Sequence, residues 1–340
     1  MEESGSGVTP PDIVTVGSAT EDVMIQCDDA NVITVADSRG NQRFMALEYG
    51  GKMHVNEIEI TVGGGALNTA ITFARQGMDA AAIVRVGRDD PGRRVRSRLE
   101  EMGVGTDLMA YSETSGTGYS TIITTFTGER TVLVHRGAAR ELNEDDIPWE
   151  RTAEVGWMYV GALAGGSWRL YPKLGRFAGE HGIKLALNLG TSQIEQGLED
   201  HRDLLYNTHV IFQNVEEMRA LTGVKPDRGD GDVREMCRQV HECGVDIVVI
   251  TDGPRGAMAS DGRAHYTIPA YDVEVRATVG AGDAFASGFI SALWHGKCVE
   301  EALRLAAANS ASVISHPGAN RGILNWDEAL QFTRKTRMRS

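Results

Sequence analysis

The 340-residue sequence predicts an α/β fold: a doubly wound, mostly parallel sheet flanked by helices and carrying a small β-sheet lid. Three observations lead there. Short, continuously apolar segments recur along the chain, as parallel strands covered on both faces require. Segments of helical periodicity separate them. Two further segments alternate polar and apolar residues and fit no strand–helix–strand unit.

Residues 1–12, MEESGSGVTPPD, are small and acidic and read as a disordered tail. They lack the basic start and apolar core of a signal peptide. One domain is expected over 13–340. It begins with the strand IVTVG (13–17). Residues 23–61 read as strands and turns, with DSRGN and EYGGK as the turns. ALNTAITFARQG follows as a helix, with Leu67, Ile71 and Ala74 on one face and Gly77 just past its end. AAIVRVG (81–87) is the next strand, and 91–102 is a helix with Val95, Leu99 and Met102 at spacings of four and three. Residues 116–138, GTGYSTIITTFTGERTVLVHRGA, alternate around TGER and predict an antiparallel hairpin. With 23–61 they would form the lid. WMYVGAL (157–163), IKLALNL (183–189), HVIFQN (209–214) and VDIVVITDG (245–253) complete the predicted parallel strands. AFASGFISALWHG is a helix presenting Phe285, Phe289 and Leu293 on one face.

Composition narrows the function classes. The chain carries 47 Asp and Glu against 34 Lys and Arg, a net charge of −13, which disfavours nucleic acid and anionic membranes as partners. Apolar runs such as VDIVVIT fall far short of the roughly 20 residues that span a bilayer. Cys27, Cys237, Cys243 and Cys298 form no C-x-x-C pair and no zinc-ligand spacing, so they read as reduced structural thiols in a cytoplasmic protein. His181, His209, His241 and His316 likewise show no triad or metal spacing.

Several short motifs fall at strand ends or helix starts. In ATVGAGDAF, Gly280 and Gly282 remove Cβ atoms just where a helix begins. There, free N–H groups and the helix dipole attract anions. Asp283 in its first turn, on spacing alone, reads first as a helix cap and second as a catalytic carboxylate. TVGGGALNTA opens another helix with three glycines and Asn68. GSATED follows the first strand and ends at Asp22. NVEE (214–217) and TDGPRG (251–256) follow later strands. Open α/β sheets bind ligands at this carboxyl edge. No G-x-G-x-x-G follows the first strand, which argues against a dinucleotide oxidoreductase.

Together these residues resemble the PfkB, or ribokinase-like, family of ATP-dependent carbohydrate and nucleoside kinases, from about residue 13 to about 325. The two signatures GGGALN and TVGAGDAFASGF stand in the family's order. The resemblance implies that Asp283 is the base that deprotonates the acceptor hydroxyl. It makes Gly280, Ala281 and Gly282 the anion hole for the transferring phosphoryl group. Asn214 and Glu217 match the motif that organises Mg²⁺, through water, and the ATP phosphates. Thr251, Gly253 and Gly256 match the loop at the nucleotide's ribose and phosphates, and Asn309 a residue beside adenine. Asp22, Gly64, Gly65 and Asn68 match groups at the acceptor. The lid would close over the substrate, and a homodimer through the lid is consistent with the family. Arg130 and Arg136 in the lid hairpin either reach the substrate or form a solvated face.

The sequence departs from the pattern at three places. Alanine 277, preceded by Arg276, stands where the family motif opens with an aspartate that helps hold a monovalent cation. Weak or absent K⁺ activation is therefore expected. Gly65 replaces a lysine of the ribokinase-type acceptor stretch, and the first lid segment, 23–61, is longer than in the simplest members, while VHRGA resembles a segment of some nucleoside and sugar kinases. The expected reaction is ATP-dependent phosphorylation of a hydroxymethyl group on a sugar or sugar-like acceptor. A nucleoside kinase is the alternative. Ala277 is the one feature favouring a ligand-binding protein that transfers nothing.

Overall fold

Residues 9–37, 40–125, 130–226 and 231–339 are described by a computed structural model. Side-chain alternation along the first strand, β1 (Ile13–Gly17), sets the layering. Ile13 packs into an apolar cluster with Phe285 and Phe289, whereas Val14 and Val16 pack on the opposite face with Leu174, Met218 and Met236. Both faces of the strand are thus covered, which is why its sequence is apolar without interruption.

Fifteen strands are defined among the described residues. After β1 come β2 (Thr20–Gln26), β3 (Asn31–Asp37), β4 (Gly40–Ala46), β5 (Glu57–Gly63), β6 (Ala80–Gly87), β7 (Ala110–Ser112), β8 (Gly118–Thr124) and β9 (Arg130–His135). The chain continues through β10 (Trp157–Val160), β11 (Lys184–Leu187), β12 (Thr208–Asn214), β13 (Ile247–Thr251), β14 (Ala257–Ser260) and β15 (His265–Ile268). The main sheet runs β15-β14-β13-β12-β11-β10-β1-β6-β7. From β13 to β7 its pairings are parallel, while β14 and β15 form an antiparallel edge. The chain leaves β1 toward β6 on one side and later returns to β10 on the other, so the order reverses at β1 and opens a crevice at its carboxyl end.

Helices α1 (Gly65–Arg75), α2 (Asp90–Glu101), α3 (Tyr171–His181), α4 (Val215–Thr222) and α5 (Gly231–Glu242) are followed by α6 (Ala281–Trp294), α7 (Val299–Ile314) and α8 (Trp326–Lys335). Helices α3 to α5 cover one face of the sheet. Helices α6 and α7 cover the other, joined by α1, whose Leu67 and Ile71 pack with Ala284 and Val313. The buried α6 has apolar or small residues nearly all round, because it lies beneath α1 and α7.

The lid is a four-stranded sheet, β5-β2-β8-β9, with β2 parallel to β8 and antiparallel to β5. The predicted lid segment 23–61 needs correction here. Its ends supply β2 and β5, but β3 and β4 pair with each other as a separate two-stranded hairpin. Their polar and apolar alternation is the same as that of the lid strands, so sequence pattern alone does not tell the two sheets apart. The predicted DSRGN and TGER turns fall largely outside the described residues, as do residues 1–8 of the tail. Cys27, Cys237 and Cys243 are buried free thiols and Cys298 is an exposed one. No helix among the described residues is long and apolar enough to cross a membrane.

Candidate active site

Helix α6 begins where the chain passes closest to the loop after α7. Gly280 caps it with φ +78°, and a Cβ there would lie 2.1 Å from Ala319 O. Only glycine meets both demands. No side chain caps the helix, so the N–H groups of Gly282 and Asp283 keep their capacity to donate. The space above Gly282 is open, with nothing within 4 Å of a Cβ built there. A small anion can therefore approach these donors directly.

Asp283 stands in the same turn and faces the first turn of α1. Asn68 Nδ2 donates to Asp283 Oδ2 at 2.8 Å. The other carboxylate oxygen lies 3.5 Å from where a Gly65 Cβ would be. That is ordinary van der Waals contact, so nothing steric at the Cβ explains glycine where the ribokinase-type stretch has lysine. Burial pushes the Asp283 carboxyl up to about 6, and the Asn68 amide opposes that rise. Two predicted site residues 215 positions apart in sequence are thus joined by one hydrogen bond.

The neighbouring loops hold this pair. Gly64 (φ +100°) precedes α1, and its Cα passes so close to β1 that a Cβ would sit 2.5 Å from Ser18 O. Ser18 accepts from the first turn of α1 with both oxygens, at 3.3 Å from Gly65 N and 3.2 Å from Ala66 N. Asp22 on β2 is buried, and desolvation raises its carboxyl while hydrogen bonds from Ser120 and Thr20 pull the other way. Asn320 donates to Val62 O at 2.7 Å and to Asn68 Oδ1 at 3.3 Å, which fixes the amide so that Asn68 Nδ2 faces Asp283. Ser18, Ser120 and Asn320 escape the sequence reading. Ser18 and Asn320 carry weight only through atoms that the fold brings within reach.

On the far side of Asp283 a cleft runs along α6. Its lining joins Thr251, Gly253 and Gly256 of the loop after β13 to Ala281 and Gly282 at the start of α6. Ala270, Phe285, Ala307, Ala311 and Ile314 make the remainder mostly apolar, with Ser310 and Tyr271 adding hydroxyl groups. An apolar slot leading to an anion-binding helix end suits a flat base joined to phosphates. Asn309 is not part of it. The residue is fully buried, its Nδ2 donates to Ala284 O at 2.8 Å, and its Oδ1 accepts from Leu324 N at 2.9 Å. Asn309, expected beside adenine, is an internal tie between α6, α7 and the segment before α8.

Asn214 and Glu217 form a reciprocal capping box on α4. Asn214 Oδ1 accepts from Glu217 N at 2.8 Å, and Glu217 Oε2 accepts from Asn214 N at 3.0 Å. One Glu217 oxygen remains for solvent or a hydrated cation. Among the described residues no group of three His, Cys, Asp or Glu is placed to hold a metal unaided. At the departure point, the N–H groups of Arg276 and Ala277 both donate to Ile314 O, at 2.8 and 3.2 Å. Ala277 brings no side-chain oxygen to that loop. Arg136 is exposed near the crevice, while the side chain of Arg130 falls outside the described residues. His209 pairs with Asp246, and His181, His241 and His316 bond to backbone carbonyls of nearby residues.

Comparisons with known proteins agree with this arrangement. The sequence profile described as pfkB family carbohydrate kinase matches residues 30–326. A ribokinase of Haemophilus influenzae is 28% identical over 280 residues, covering 81% of this chain and 88% of its own length. An aminoimidazole riboside kinase of Salmonella typhimurium is 26% identical, covering 74% and 79% respectively. The structure of Arabidopsis thaliana ribokinase complexed with ribose and ATP superposes with a TM-score of 0.81, over 96% of this chain and 99% of that one, at 21% identity.

Proposed function

The chain belongs to the pfkB family of carbohydrate kinases, and from that premise we propose that it transfers the γ-phosphoryl group of ATP to a hydroxymethyl group of a sugar or sugar-like acceptor. The observation that carries this reading is the Asp283 carboxylate, raised toward neutrality and aimed by Asn68 at the open end of an uncapped helix. A carboxylate with a pKa near 6 is ionised at pH 7 yet basic enough to accept a proton as a hydroxyl attacks. The N–H groups of Gly282 and Asp283 stand ready, without reorganisation, for charge on the equatorial phosphoryl oxygens.

The assignments follow from position along the sheet edge. The acceptor lies between Asp22, the 64–65 backbone and Asn68, with its reactive hydroxyl toward Asp283. The nucleotide occupies the cleft bounded by Thr251, Gly253, Gly256 and α6. Mg²⁺, when bound, neutralises charge on the transferring phosphates. Glu217 would hold it through water, consistent with a donor set whose other oxygen and whose Asn214 partner are committed to the helix cap. Water must be excluded for transfer to outrun hydrolysis, and closure of the lid sheet, whose inner face carries Asp22 and Ser120, would do so.

A nucleoside acceptor is the second reading, favoured by the riboside kinase relative. Coupled ADP release over a panel of free sugars and nucleosides decides between them. Sugar-dependent turnover supports the first reading. Preference for inosine, cytidine or adenosine replaces it with the second.

The outward face of the lid supports a homodimer. Ile25, Ile58, Ile60, Tyr119, Ile123 and Leu133 share one face by register, opposite the face that carries Asp22 and Ser120. Ile58, Ile60 and Leu133 are 57%, 56% and 57% exposed, too much apolar surface on one small sheet to be left in water. A second copy of the same face is the self-complementary cover.

A further inference from the structure

The cleft along α6 is held from outside by the segment that follows α8. Ala270, Tyr271 and Asp272, just after β15, run antiparallel to that segment. Asp272 N donates to Arg337 O at 2.9 Å, Arg339 N donates to Ala270 O at 2.7 Å, and Tyr271 pairs with Met338 in the bridge between them. Phe332 of α8 meets the Tyr271 ring edge-on, with centroids 5.3 Å apart and planes at 82°. Tyr271 is therefore fixed in place before any ligand arrives, and it is one of the residues lining the cleft.

One atom of this well-held residue is not explained by packing. Tyr271 is 3% exposed, and its Oη is buried without a hydrogen-bond partner among the described residues. A buried phenol normally finds a partner, because leaving its donor unmet costs the solvation it gave up. Burial also pushes the phenol up to about 12, with Arg304 acting against that rise, so it keeps its proton throughout the working range. The hydroxyl belongs to the far end of the cleft. Ser310, whose Oγ donates to Ala281 O at 3.0 Å, marks the end at the start of α6. Arg304, the charge that acts on Tyr271, lies roughly 9 Å back along α7, and Ala307 lines the cleft between them.

We infer that the Tyr271 hydroxyl hydrogen-bonds the base of the nucleotide and sets a preference for purine over pyrimidine triphosphates. The inference rests on the nucleotide reading of this cleft and deepens it. With the phosphates at the start of α6, the base lies along Ala311 and Ala307 toward Tyr271. The outer edge of a purine carries ring nitrogens that accept a hydrogen bond, which is what a protonated phenol requires. A pyrimidine is one ring shorter and leaves the hydroxyl unmet. Ala270 and Ala307, the neighbouring lining side chains, have no donor to offer in its place, and the Ser310 hydroxyl is spent on Ala281 O.

Steady-state kinetics comparing ATP with CTP, with an acceptor that supports turnover, test it. The wild type is expected to favour ATP in kcat/KM by tenfold or more. Tyr271→Phe keeps the ring against Phe332 and removes only the hydroxyl. It raises KM for ATP roughly three- to tenfold, the size of one neutral hydrogen bond, with kcat within about twofold. KM for CTP stays within about twofold, so the preference narrows by the same factor. Tyr266→Phe, which removes a hydroxyl bonded to Asp261 and outside the cleft, leaves both values where they were. Equal use of CTP by the wild type, an unmoved KM for ATP in Tyr271→Phe, or a parallel rise for both nucleotides overturns the inference and leaves the kinase reading intact. If CTP is not used at all, the KM for ATP in Tyr271→Phe decides alone. If no acceptor is phosphorylated, the kinase reading fails, and calorimetry with ADP decides the inference separately. A three- to tenfold weaker ADP affinity in Tyr271→Phe supports it. Equal affinity in the two proteins, or no ADP binding by the wild type, overturns it.

Discussion

Asp283 and Asn309 show what single residues disclose and conceal. In sequence, Asp283 in a glycine-rich turn reads more readily as a helix cap than as a base. What separates the two is Asn68, 215 positions away and bonded to it at 2.8 Å, together with burial that carries its carboxyl up to about 6. A base must be ionised, so activity is present above that value and lost as pH falls through it. An acid limb near pH 6 is therefore expected in kcat/KM, and a profile flat from pH 7 down to 4.5 contradicts the assignment of Asp283 as base. Asn309 was singled out only through the family resemblance, and both ends of its amide are spent on Ala284 and Leu324. No spacing rule distinguishes a ligand amide from a satisfied internal one. At Ala277 the missing oxygen was legible directly. Replacing Na⁺ by K⁺ should change turnover less than twofold, and a several-fold increase would show that backbone carbonyls suffice to hold the ion.

Elements were legible where their periodicity is simple. The strand predicted at 13–17 coincides with β1, and the helix predicted at 91–102 is α2 shifted by one residue. Strand ends were overrun because apolar residues continue past the last ladder bond, as Gly161 to Leu163 do after β10. The short antiparallel β14 and β15 were missed, since four-residue segments carry too little pattern. The start of α6 makes the sharpest element-level prediction. Gly280→Ala must displace Ala319 O or unwind the first turn, either of which moves the anion-hole donors. A fall of roughly 10²-fold or more in kcat is expected, the size typical for losing an oxyanion donor. Turnover within threefold of wild type, with the protein folded by circular dichroism, contradicts the assignment of these donors.

For the whole molecule, the layer architecture followed from unbroken apolar strands alternating with helices, and the lid from strands that alternate instead. What the chain could not reveal is partnership between distant strands. Nothing local sends β2 and β5 to the lid while β3 and β4 pair with each other, because both pairings satisfy the same local pattern. The lid's exposed isoleucines and Leu133 carry the prediction at this scale: the wild type sediments as a dimer, and Leu133→Glu or Ile60→Glu as a monomer. A monomeric wild type at micromolar concentration contradicts it. The proposed transfer depends on one carboxylate, Asp283, at the crevice under this lid. Single-turnover transfer of labelled phosphate from ATP, using an acceptor that supports wild-type turnover, tests it most directly. Asp283→Asn keeps the shape and removes the base, so the rate should drop by roughly 10²- to 10⁴-fold while ATP binding by calorimetry stays within a few-fold. Transfer at a near-normal rate in that variant would remove Asp283 from the reaction and the account with it.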